Sequence, residues 1–217
     1  MINVEKYTDK EVEEPLLYFI DNTYSEANKL LENLPDVLNI HFTPEGGSDI
    51  TGIGAFAYSK NRINISFLKD FEDKQFQQLA LHGAIFHESY HINQGFTYED
   101  SPFTALQSAI YEGCAVVFER EYAKNTPPYA DYSQHTELEL EAWLDEVKKI
   151  GNEYFEDVTL WRKWAFYNDE LEQKWIIYKL GVWLVDKTLR RTGLDIIDLR
   201  NMSADEIIKK GNLSITK

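Results

Sequence analysis

The chain has 217 residues, 43% hydrophobic and 14% aromatic, enough to bury one sizeable core, so it is read as one domain over 1–217. With 37 acidic against 22 basic residues and a net charge of -15, it repels phosphate backbones and anionic membranes, which excludes nucleic acid and membrane surfaces as partners. The first residues lack the basic-then-apolar order of a secretory leader, no apolar stretch is long enough to cross a bilayer, and the one cysteine, Cys114, permits no internal disulfide; a cytoplasmic protein is expected.

From Glu11 to Leu34 apolar residues recur at helical spacing, among them Leu16, Phe19, Ile20, Ala27 and Leu31, until Pro35 stops the pattern. Strand-like runs follow at 37–43, Gly52 to Tyr58 and Arg62 to Phe67, the last two joined by Ser59-Lys60-Asn61 as a hairpin. From Asp73 the pattern turns helical. A core helix is predicted over 75–94, and a second opens at Ser101-Pro102 and runs to about Tyr122. Beyond the Pro127-Pro128 loop, helices are expected at 137–150, 160–166, 170–189 and 204–210. The fold class is therefore α+β and helix-dominated, with a mixed part over about 1–125, a small N-terminal sheet, and a helical part over about 126–217.

Chemistry concentrates in His87-Glu88-Ser89-Tyr90-His91. Histidines four apart lie on one helix face, about 40° apart around the axis, so two imidazoles can converge on one metal ion. Glu88, about 100° from His87, can reach a metal-bound water without becoming a ligand. The competing reading is a helix with two unrelated histidines. A catalytic zinc takes three protein ligands and keeps one position for water. Glu112, set in the apolar run before Gly113-Cys114-Ala115, is the first candidate for the third, and Glu119, seven residues on and on the same face, is its rival. Gly113 and Ala115 are read as clearing space where this helix meets the His87 helix. His41 and His82 are read as structural.

His87-Glu88-x-x-His91 followed by Glu112-Gly-x-Ala resembles the gluzincin class of zinc peptidases, and in particular the YjaZ-like family of predicted zinc-dependent proteases. The resemblance is strongest from Leu79 to Tyr122. It implies a zincin-like domain in which the sheet packs on a pair of metal-binding helices, one Zn2+ per chain held by His87, His91 and Glu112, and a peptide or protein substrate. Its mechanism is hydrolysis by a metal-activated water with Glu88 as general base. Glu119-Arg120 occupy the places of the Glu-Arg pair in the aminopeptidase N class, which puts Glu119 behind a ligand histidine. Tyr178-x-x-Gly181 resembles the tyrosine that stabilises the oxyanion in that class; a core tyrosine fits equally, and His135 is a second candidate for the role. Gly54, Ala55 and Phe56 stand where such enzymes pair an edge strand with the substrate, although an ordinary hairpin is compatible and the Met-Glu-Asn that marks aminopeptidases does not follow. The alternative function is a non-catalytic peptide- or protein-binding protein that retains a structural zinc.

Overall fold

The computed structural model describes residues 1–6, 14–43, 46–151 and 153–212. The fold is α+β and helix-dominated. Contacts divide the chain into two compact units, one of residues 1–100 and 118–125, the other of 101–117 and 126–217.

The first unit is built on a four-stranded sheet of β1 (Ile2–Lys6), β2 (Leu38–Thr43), β3 (Ile53–Ser59) and β4 (Arg62–Phe67), in the order β1-β2-β4-β3. β1 and β2 pair in parallel, as do β2 and β4, whereas β3 and β4 form the expected antiparallel hairpin. β3 is thus an edge strand. Its bulge at Ala57/Ser59 precedes the turn. Strand β1 was not among the expected elements. Alternation sends Leu38 and Ile40 of β2 and Ile63 and Ile65 of β4 into the core, all at most 1% exposed, each contributing about 1.5–3 kcal/mol of burial.

Helix α1 (Glu14–Asn28) packs beside α2 (Lys74–Gln94) against the inner face of that sheet. The expected start of α1 at Glu11 lies outside the described residues. Asp73 caps α2, its Oδ1 accepting the N–H of Phe76, and the side-chain amide of Gln77 donates to the carbonyls of Gly52 and Leu68, tying the helix start to the hairpin base. Gly95, at φ 74, ends the helix in a left-handed turn that few other residues adopt without strain. Every residue from Ile85 to Asn93 is buried, so α2 has no solvated face there.

Helix α3 (Ala105–Phe118) begins three residues after the predicted Pro102. Thr104 and Gln107 form a reciprocal cap: the Gln107 N–H donates to the Thr104 hydroxyl and the Thr104 N–H to Oε1 of Gln107. From Glu119 to Ala123 the winding widens into a π turn. The second unit continues with α4 (Glu137–Val147), α5 (Glu153–Glu156), α6 (Val158–Ala165), the two-residue strands β5 (Tyr167–Asn168) and β6 (Gln173–Lys174), α7 (Ile176–Thr192) and α8 (Ala204–Gly211). The helix expected over 170–189 therefore starts only at Ile176, because Glu172 and Trp175 take positive φ and 173–174 pair as a strand. Gly113 meets α7 rather than the His87 helix: a β-carbon on it would overlap the backbone of Gly181. Among the described residues, no helix is long and apolar enough to cross a membrane.

Candidate metal centre

His87 and His91 sit in the buried middle of α2, one turn apart, at 5% and 3% exposure. Their Nε2 atoms are 2.9 Å apart and the rings meet edge to face. Zinc–imidazole bonds are about 2.0–2.1 Å, so nitrogens at this separation can reach one ion together. One ligand atom from each of His87, His91 and Glu112 lies within 4.8 Å of the others, the one such group found among the described residues that could hold a metal. The donor set, two nitrogens and a carboxylate oxygen, suits zinc.

Behind His87 stands Glu119, 2% exposed, with Oε2 3.3 Å from Nδ1 of His87. This is ion-pair distance, longer than the roughly 2.7–2.9 Å of a tight charge-assisted bond. A carboxylate there favours the tautomer protonated at Nδ1, which turns the Nε2 lone pair toward the ligand position. On its other oxygen Glu119 accepts a hydrogen bond of 2.5 Å from the side-chain amide of Asn125.

Glu88 is buried, and its Oε2 accepts the backbone N–H of Ala57 at 2.7 Å. This carboxylate of α2 is thereby fixed to the sheet's edge strand. The Ala57 carbonyl accepts from Tyr98 and that of Tyr58 from Glu99, which covers this end of the β3 edge. Since backbone groups alternate along a strand, those of Ala55 face the same way as those of Ala57. Gly54 has no room for a side chain: a β-carbon would stand 2.5 Å from the carbonyl oxygen of Gly46 and 2.7 Å from Oγ of Ser66. Phe56 is 44% exposed and its ring clusters with Tyr58 and Tyr98, the last two stacked at 5.6 Å.

Tyr178 lies in the first turn of α7 with its ring edge-on to Tyr129 at 5.0 Å. His135 precedes α4, packs on Trp143 and has Nε2 3.1 Å from Nζ of Lys179. Burial lowers the His135 pKa and the Lys179 cation lowers it further. His41 contacts Arg62, and His82 pairs with Glu26 and packs between Phe19 and Phe86.

Sequence reasoning missed several residues that surround this cluster. Tyr154 is fully buried near Glu112; burial raises its phenol pKa well above the ordinary range and the Glu112 carboxylate adds to the shift. Gly83, one turn before His87, was a readable signal, because a glycine inside a strong helix pattern costs about 1 kcal/mol and so points to a packing reason. Asn125 and the amide of Ala57 had no such signature.

No curated protein and no solved structure matches the chain significantly. Residues 45–209, which contain every residue placed at this centre, match the family described as Predicted Zn-dependent protease (DUF2268), and the chain belongs to that family.

Proposed function

We propose that the chain is a zinc peptidase of gluzincin type, with His87, His91 and Glu112 as ligands, Glu88 as general base, and peptides or proteins as substrates. The observation that carries this reading is the 2.9 Å convergence of the two Nε2 atoms, beside a buried carboxylate fixed to an edge strand. Zinc bound there supplies a Lewis acid that acidifies water and polarises a carbonyl.

The protein groups do the rest. Glu88 takes the proton of the attacking water and passes it to the leaving amine, a role that needs a fixed carboxylate, as the Ala57 N–H supplies. Glu119 keeps the proton of His87 on Nδ1. The outward N–H and C=O of Ala55, next along the edge from Ala57, can pair with an extended peptide, with Gly54 and Phe56 flanking it. Tyr178 donates a hydrogen bond to the carbonyl oxygen as negative charge develops on it.

Metal content and cleavage of a broad peptide library, with and without chelator, test the reading. One zinc per chain and chelator-sensitive cleavage are expected, with Glu88→Gln keeping the metal and losing activity by about 10²–10⁴-fold. Full metal-dependent cleavage by Glu88→Gln would refute the base assignment. Metal retention by the wild type with no cleavage favours a binding protein.

A further inference from the structure

We propose that Asn125 is a positioning residue for the metal centre: its amide fixes Glu119 so that Oε2 faces Nδ1 of His87, in a space that Gly83 leaves open. The proposal rests on the zinc reading of His87 and His91 and adds a further layer behind it.

The chemistry selects an amide at this place. Glu119 is 2% exposed, and a buried carboxylate needs donors for its lone pairs. A lysine or arginine would supply them, but its charge would offset the negative field that holds the proton of His87 on Nδ1. The neutral amide of Asn125 donates to Oε1 at 2.5 Å and leaves the carboxylate charge intact. Oε2 then faces His87 at 3.3 Å.

The backbone is shaped for the contact. On a continuous α-helix a residue six positions after Glu119 would lie about 9 Å along the axis and on another face. The π turn over Glu119–Ala123 and the left-handed Lys124, at φ 56, bring the chain back. Gly83 completes the arrangement. A β-carbon there would overlap Oε1 of Glu119 and stand 2.5 Å from Nδ2 of Asn125, so even alanine must displace one member of the pair.

The test measures Zn2+ affinity of the full chain by competition with a chromophoric chelator, together with the absorption spectrum of the Co2+ form. Asn125→Ala should weaken Zn2+ binding about 10–100-fold and perturb the Co2+ bands, and Gly83→Ala should do the same. In a Glu119→Gln background the effect of Asn125→Ala should shrink to less than about twofold, because both changes act through one carboxylate. The melting temperature of the metal-free protein reports folding. If Asn125→Ala does not fold, the isosteric Asn125→Asp replaces it and, with an acceptor facing Glu119, should weaken binding at least as much. Zn2+ affinity within twofold of wild type for the folded variants, or an undiminished effect in the Glu119→Gln background, overturns the proposal. A wild type that binds Zn2+ no better than His87→Ala overturns the zinc reading and this proposal with it, whereas tight wild-type binding that the Asn125 variants match overturns this proposal alone.

Discussion

Gly113 of α3 and Gly181 of α7 meet backbone to backbone. A β-carbon on Gly113 would overlap the Gly181 carbonyl and stand 2.8 Å from its α-carbon, and one on Gly181 would overlap the carbonyl oxygen of Ala109. Since the obstructing atoms are backbone, no side chain can turn aside to make room. Gly113→Ala and Gly181→Ala should each lower the unfolding free energy by about 1–3 kcal/mol, read from urea transitions. An unchanged midpoint would mean that the helices separate without cost.

Metal binding to the folded chain alone should raise its melting temperature. Zinc at about 100 times its dissociation constant adds about 2.7 kcal/mol, which thermal scans with zinc and with chelator resolve. His87→Ala and His91→Ala should abolish the increment, while Glu88→Gln should keep it. An increment that survives both histidine changes would place the ion elsewhere.

Tyr178→Phe keeps the ring that packs on Tyr129 and removes only the hydroxyl. If that hydroxyl steadies the developing charge, kcat should fall by about 10²–10³ with KM little changed. Unaltered kcat would return Tyr178 to the core.

The His135–Lys179 pair makes stability depend on pH. Burial, and then the Lys179 cation 3.1 Å away, hold the folded His135 pKa below its ordinary value, against the weaker opposing pull of Glu139 and Asp131. Below about pH 6.5 the unfolded chain therefore takes up the proton first, so the contribution is fully present above that pH and is lost as pH falls through the lowered folded value. Melting temperatures from pH 7.5 to 5.5 should fall less steeply for His135→Gln than for wild type. Parallel slopes would count against the assignment.

What the sequence conveyed depended on whether a feature repeats locally. The His87–His91 spacing needs only one helix, and the structure has that helix over Lys74–Gln94 with both rings converged. The 53–67 hairpin was equally legible, since alternation and a short turn are local. Gly113 announced a close approach, but the sequence set it against the His87 helix, whereas its partner is α7. Asn125 was hidden because the π turn breaks the 3.6-residue period by which residues were placed on faces. Ala57 acts through its N–H, which every residue but proline possesses. Trp175 interrupts a good helical pattern with a φ of 57°, which nothing in a tryptophan announces.

The residue after Gly113 carries the only thiol in the chain, and Cys114 is wholly buried. A shielded thiol reacts with a disulfide reagent only when the structure around it opens, so its labelling rate is a clock for local breathing of α3. The clock needs no engineered label and stands two residues from Glu112. If zinc draws that glutamate into its coordination, loading the metal should slow the clock, and a chelator should set it running again.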